Sequence, residues 1–344
     1  MDRFLLALGR EIERAGETDW AGRVTVGTVF FGGGTPSLLE ADELEGILER
    51  LKKFFPLRPD AEITVECNPE SASLVKLDGY RTAGVNRISL GVQSLDDSIL
   101  SRLGRLHSAC GAQEAFAAAR RAGFENINVD LMYGLPDLDL GTWERTLSEV
   151  LSWGPDHLSA YGLTLDEGSV WGSQGVTGLP SEDTVLKQYW LLARMARGAG
   201  YEHYEISNYA KANFRSRHNQ LYWRAEEYVA FGPGGAGFLG DIRYANVKPA
   251  ERYCGLLEAG LSPIGQWERL TNRQRLGERL ILWLRLADGV PLDWLHARFA
   301  EDPDRLETLL ETWMTRDLLL VQNGRVRLTE AGFLLSDSLF VELL

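Results

Sequence analysis

Polar residues that could bind a ligand stand where runs of β-forming residues end. Residues 24–31, rich in Val, Thr and Phe, run straight into Gly32, Gly33, Gly34, Thr35, Pro36 and Ser37. Branched and aromatic side chains pack well on a pleated surface, so 24–31 reads as a buried strand. Consecutive glycines let a backbone approach a ligand closely and adopt φ > 0. Free N–H groups in such a strand–turn–helix junction suit an anionic or carboxylate-bearing ligand. Glu66 ends a second run, 61–66; Gln93 follows a third, 87–91; Asp130 lies late in a fourth, 126–132. A glycine turn, a carboxylate, an amide and a second carboxylate on one rim make a site. Taken singly each has a plainer role: a tight connection for the glycines, a helix cap for Glu66 and Asn68, a loop contact for Asp130.

The elements that must position these residues follow a regular alternation. Phe4, Leu5, Leu8 and Ile12 share a helical face, so the chain opens on a helix over 2–15. Ser37 and Glu40 have capping-box spacing and predict a helix over 40–54, with Leu44, Ile47, Leu48 and Leu51 on one face. Further helices are expected over 71–83, 96–103, 109–122, 141–152 and 182–199. Strands are expected at 157–161 and 204–206. Repeated βα units of this length imply α/β architecture with helices outside a parallel sheet, as a barrel or an open sheet. In both, the carboxyl ends of the strands form the ligand face.

From about Gln266 the pattern changes. Helical stretches at 271–287 and 303–316 precede Asn323-Gly324 between two apolar runs, a hairpin signal, and then a helix-like tail over 329–343. This order predicts a small winged-helix-like α+β module. The same shape binds DNA elsewhere, but a net charge of −13 argues against nucleic acid and anionic membranes as general partners. With 344 residues the chain has room for one large domain and a small one. No apolar run reaches the ~20 residues that span a bilayer, and residues 1–10 do not resemble a signal peptide. Cys67, Cys110 and Cys254 are far apart, which suits a reducing compartment and predicts neither disulfides nor a metal site. The cytoplasm is the expected location.

Several motifs in one order carry a family resemblance. They are FFGGGTPSLL (30–39), ITVECNP (63–69), GVNRISLGVQS (84–94), LGRLH (103–107), NVDLMYGLP (128–136), YEISNY (204–209) and SRHNQLYW (216–223). Together they resemble the radical S-adenosylmethionine family of oxygen-independent coproporphyrinogen III oxidases, and within it the HemW-type haem chaperone branch, over nearly the whole chain. The resemblance implies a partial (βα)6 barrel over 1–215, a connecting, haem-site segment over 216–265 and a small C-terminal domain over 266–344. It implies that Gly33, Gly34 and Thr35 meet the methionine end of S-adenosylmethionine. Glu66 and Arg105 then pair with its amino and carboxylate groups, and Gln93 and Asp130 with the ribose hydroxyls. The implied cargo is haem, passed to haem-accepting apo-proteins, membrane-associated ones included, with His218 as a candidate ligand to its iron.

The sequence departs from the family in two places. The family's C-x-x-x-C-x-x-C loop, whose thiolates hold a 4Fe–4S cluster, has no counterpart here. Such clusters require thiolate ligands, so the chain as written lacks what radical chemistry needs, and its status as an enzyme is open. In relatives that loop follows a first strand lying upstream of Met1, so Met1 is expected to be an internal methionine of a protein ~30–50 residues longer. A natural cluster-less relative is the alternative. Second, Ala236 in Gly232-Pro-Gly-Gly-Ala-Gly237 stands where the family commonly has histidine. Competing functions are the oxidase itself and a cluster-less barrel that only binds S-adenosylmethionine or haem.

Overall fold

The structure is a computed structural model and describes residues 1–343. Helix α1 (Asp2–Gly16) opens the chain and buries Leu8 and Ile12. The alternation then runs β1 (Val26–Phe31), α2 (Ala41–Phe54), β2 (Leu57–Cys67), α3 (Leu74–Ala83) and β3 (Arg87–Gln93). It continues with α4 (Asp97–Arg102), α5 (Ala109–Arg121), β4 (Ile127–Tyr133), α6 (Leu140–Trp153) and β5 (His157–Gly162). Helices α7 (Val170–Gln174) and α8 (Glu182–Gly198) lead to β6 (Glu202–Glu205), β7 (Asn208–Ala210) and α9 (Arg217–Trp223).

These strands form one seven-stranded sheet in the order β1-β2-β3-β4-β5-β7-β6. Strands β1 to β5 are parallel, as the βα alternation requires. The series does not close as expected. Strand β7 inserts between β5 and β6 and runs antiparallel to both, so the Tyr204 strand is the outer edge of a hairpin. Nor is β1 buried. It is the opposite edge of the sheet, and all six of its residues are half-buried. The core lies between sheet and helices, with Val65, Ile88, Leu90, Val129, Leu131 and Leu158 completely enclosed.

The capping box at α2 is made by Glu40 and Glu43, not by Ser37 and Glu40. Ser37 lies in a 3-10 turn, where its hydroxyl pairs with Ser71 Oγ at 2.5 Å and accepts from the Asn68 amide.

After α9 come β8 (Ala236–Leu239), β9 (Ile242–Asn246), α10 (Ala250–Glu258) and β10 (Ile264–Arg269). The three strands form an antiparallel sheet, β10-β9-β8, that the sequence pattern does not announce. Buried Glu11 ties α1 to this segment by accepting from Tyr253 Oη (2.5 Å), Asn246 Nδ2 (2.6 Å) and the Gly232 amide (2.8 Å).

The C-terminal domain contains α11 (Asn272–Leu284), β11 (Val290–Pro291), α12 (Leu292–Arg298) and α13 (Pro303–Thr315). Strands β12 (Leu319–Gln322) and β13 (Arg325–Leu328) and helices α14 (Glu330–Leu334) and α15 (Ser336–Leu343) complete it. It has its own core around Leu280, Leu284, Trp313, Val326 and Phe333. The expected hairpin is present: Asn323 and Gly324 both take positive φ between β12 and β13, and β11 extends it to three strands. The tail is two helices, broken at Leu335.

Candidate functional site

Parallel register brings the polar strand positions into rows. Glu66 pairs with Ser89 and Ser89 with Asn128; Gly91 pairs with Asp130 and Asp130 with Ser159. Because side chains alternate faces with period two, residues of one row share a face. A polar pocket of about 200 Å³ opens on this face, lined by Glu66, Arg87, Gln93 and Asp130 together with Ser89, Asn128 and Ser159. Phe30, Tyr161 and Asn219 complete the wall, the last contributed by α9. Gln93 ends β3 with φ +66, which turns the chain at the rim.

The glycine turn meets this pocket through Glu66, whose Oε2 accepts from the Gly33 amide at 3.1 Å. Gly33 and Gly34 take φ +78 and +65, a region that disfavours L side chains, and no atom lies within 4 Å of where either Cβ would stand. The backbone there is open to an approaching group. Arg105 joins the rim from the loop after α4: its Nη2 donates to Asn68 Oδ1 (3.0 Å) and to the Gly91 carbonyl (2.6 Å). Asn68 thus holds Arg105 rather than capping the turn after it. Asp130 accepts from Asn128 Nδ2 (2.7 Å) and Ser89 Oγ (3.1 Å). Burial raises the carboxyl pKa of both acids, against the Gly33 bond at Glu66 and the Asn128, Ser159 and Ser89 bonds at Asp130.

Thr35 and His218 face elsewhere. Both line an apolar cavity of about 870 Å³ between α1, β1, α2 and residues 228–236, which also includes Phe30, Tyr222, Tyr228 and Ala236. None of its lining residues is Lys, Arg, Asp or Glu. His218 stacks on Phe30 with ring centroids 4.8 Å apart. Its Nδ1 bonds Thr28 Oγ1 at 2.7 Å and its Nε2 bonds Tyr222 Oη at 2.9 Å, so both ring nitrogens have protein partners. Burial lowers its pKa to about 4, which keeps the ring neutral.

Glu66, Gln93 and Asp130 therefore share one pocket, with Gly33, Gly34 and Arg105 at its rim. Sequence reasoning missed Arg87, Ser89, Asn128, Ser159 and Tyr161. Their signal was the polar alternation Ser89–Gly91–Gln93, Asn128–Asp130 and His157–Ser159–Tyr161, which places polar groups on the inner face at every second residue.

A mostly parallel sheet with its ligand groups at the strand ends defines a partial α/β barrel, and comparison with known proteins specifies which. Residues 10–150 match the radical SAM superfamily and residues 270–335 the HemN C-terminal domain. The chain is 32% identical to the heme chaperone HemW of Bacillus subtilis, over 99% of this chain and 90% of that protein. It is 36% identical to HemW of Mycobacterium tuberculosis, over 100% of this chain and 86% of that protein. It is also 35% identical to radical S-adenosyl methionine domain-containing protein 1, mitochondrial, of Bos taurus, over 93% of this chain and 76% of that protein. Coproporphyrinogen III oxidase (HemN) of Escherichia coli has the same fold, with a TM-score of 0.87 at 22% identity over 99% of this chain and 82% of that one. The chain belongs to the HemW family within the radical S-adenosylmethionine superfamily.

Membership implies S-adenosylmethionine and a 4Fe–4S cluster. The strand-end residues fit the nucleoside: two carboxylates and an amide face a polar pocket beside an open glycine cradle. Arg87 Nε, in the pocket wall, and Arg105 Nε, at its rim, are buried without a hydrogen-bond partner in the protein. The cluster is not fitted. Cys67 and Cys254 are buried and Cys110 is exposed, and burial pushes the Cys67 thiol up to about 12. Among the described residues no three His, Cys, Asp or Glu side chains converge to hold a metal. No helix of the described residues is long and apolar enough to cross a membrane.

Proposed function

We propose that this protein is a haem chaperone that binds S-adenosylmethionine at the strand ends and passes haem to apo-proteins in the cytoplasm, including membrane-associated ones. The observation that carries this reading is similarity over 99–100% of this chain to proteins named heme chaperone HemW, coupled to a strand-end pocket whose polar groups suit the nucleoside. Glu66 pairs with the ligand's ammonium and Arg105 with its carboxylate, while the amides of Gly33 and Gly34 receive the methionine end; Thr35, which lines the apolar cavity, joins them through its backbone alone. The Asp130 carboxylate accepts from the ribose hydroxyls, and the Gln93 amide donates to or accepts from them. When bound, the cofactor contributes a sulfonium-bearing nucleoside; no step is assigned to a cluster. The barrel unit is 1–215, the connecting unit 216–265 and the C-terminal unit 266–344.

Haem, as cargo, is received by the aromatic and apolar wall that includes Phe30, Tyr222 and Tyr228. His218 ligates its iron only by giving up its bond to Thr28 or Tyr222. Two titrations test the reading. Calorimetry with S-adenosylmethionine should give one site that Asp130→Asn weakens about 10-fold, the effect of losing one charged hydrogen bond. Haemin should produce a saturable Soret band that decays as an added apo-haemoprotein gains its own. Absence of both binding events sinks the proposal, and decarboxylation of coproporphyrinogen III would replace it with the oxidase.

A further inference from the structure

The strand-end pocket and helix α9 are joined by an unbroken line of buried polar groups. The Ser216 amide donates to Tyr204 Oη at 3.2 Å, and Tyr204 Oη lies 2.8 Å from His157 Nε2. On the other side of the ring, His157 Nδ1 lies 2.6 Å from Asn128 Oδ1, and Asn128 Nδ2 donates to Asp130 Oδ1 at 2.7 Å. Ser216, Tyr204 and His157 are wholly enclosed and Asn128 nearly so, so water cannot replace a missing partner.

The two ends fix the direction of the line. A backbone N–H can only donate, and both Asp130 oxygens accept, from Asn128 Nδ2 and from Ser89 Oγ. Asn128 must therefore turn its nitrogen toward Asp130 and Ser89 Oγ, which is 2.7 Å away. Its oxygen is left for His157 and for Ser159 Oγ, which donates at 3.2 Å. His157 then carries its proton on Nδ1, and its Nε2 accepts from the Tyr204 hydroxyl. Burial holds the imidazole uncharged, with the Arg87 charge acting the same way. Each group directs one donor toward Asp130.

We infer that His157 and Tyr204 are positioning residues that hold the Asp130 carboxylate for a ligand's hydroxyl pair and transmit occupancy of the pocket to the first turn of α9. The inference rests on reading Asp130 as a contact of the nucleoside. Ser216 is the N-cap of α9. That helix carries Asn219, which lines the same pocket, and His218 and Tyr222, which line the apolar cavity. A ligand spanning Asp130 and Asn219 thus meets both ends of one line, so nucleoside binding and the geometry of the aromatic wall are coupled.

Nitrogen-15 NMR of the full chain should show the His157 proton on Nδ1; a proton on Nε2 overturns the chain's direction. Hydrogen exchange of the amides in 216–223 should slow when S-adenosylmethionine is added to the native protein. Tyr204→Phe keeps the ring and removes the hydroxyl. It should weaken S-adenosylmethionine binding roughly 3–10-fold, the range for one buried neutral hydrogen bond, and abolish the ligand-dependent slowing. His157→Gln is the second variant, with the same loss of slowing expected. A merely structural role lowers thermal stability but leaves that ligand-dependent difference intact, and such a result overturns the inference. If the native protein does not take up S-adenosylmethionine, the Asp130 reading fails and the coupling with it, while the tautomer still decides the direction of the line.

Discussion

Glu205 should make this protein less stable as pH rises from about 4.5 to about 7. It sits at the seam between the sheet and the C-terminal domain, 1% exposed, bridged to Leu286. Alongside it, the Ala287 amide donates to the Tyr204 carbonyl at 2.8 Å. The Ser207 amide donates to Oε2 at 3.3 Å, but Oε1 is buried without a hydrogen-bond partner. Burial raises its pKa from 4.5 to about 7, which the Ser207 and Asn208 bonds and the Arg285 charge only partly oppose. Between those values the folded protein holds a proton that the unfolded chain has released, so stability falls as pH rises. At about 1.4 kcal/mol per pH unit the loss is about 3 kcal/mol, complete once pH exceeds the folded value. Glu205→Gln mimics the protonated acid and cannot ionise. Urea unfolding followed by tryptophan fluorescence should show variant and native protein nearly equal at about pH 4. By pH 8 the variant should be more stable by about 3 kcal/mol. Glu11, Glu66 and Asp130, whose pKa values are also raised, are present in both proteins and cancel in the difference. Parallel stability curves across this range would refute the argument.

Two further substitutions probe the cradle and the C-terminal domain. Glu66→Gln preserves shape but removes the charge proposed to face the ligand's ammonium; calorimetry should find affinity for S-adenosylmethionine reduced by roughly 10-fold or more, the scale of one charge-assisted bond. An unchanged affinity would make Glu66 only a brace for the Gly33 turn. Gly289→Ala should cost roughly 2–4 kcal/mol, because Gly289 has φ +63 and a Cβ there would stand 2.1 Å from the Val326 carbonyl oxygen. Differential scanning calorimetry should show the loss in the transition of the C-terminal core.

The strand ends were legible because β-forming runs stop at polar residues, and such runs need no tertiary information to be seen. Burial of β1 was not legible, since the same Val, Thr and Phe pattern serves a central strand and an edge strand, and pairing decides which. The α2 cap moved by three residues because Ser37 is drawn to Ser71 and Asn68, partners brought near by the packing of β2 against β1. Strand β7 is only three residues long and antiparallel, too short for periodicity to mark. The surroundings of His218 were hidden for a different reason: its Thr28 partner lies 190 positions away. A lone histidine in a motif carries no information about whether its nitrogens are already used.

Residues 215–224 explain why the two regions of the site belong together. An open sheet leaves its inner face uncovered, and polar residues placed there need a lid that does not compete for their hydrogen bonds. This segment provides one by anchoring at both margins. Arg217 donates to the carbonyls of Asp60 (2.6 Å) in β2 and Gly27 (3.3 Å) in β1. Glu62 accepts the Arg217 and His218 amides at 3.0 Å each, which satisfies the free N–H groups of the first turn of α9. At the other margin Arg215 pairs with Glu202 and with Asp288 of the C-terminal domain, and Trp283 Nε1 donates to the Arg224 carbonyl at 3.1 Å. The helix is thus held by β1 and β2 on one side and by the C-terminal domain on the other, with Asn219 facing the polar pocket and His218 facing the apolar cavity. Any shift of the C-terminal domain must be absorbed by α9 or break these bonds. The C-terminal domain, which also meets the sheet directly where Leu286 bridges Glu205, thus shares α9 as a common support with the strand ends.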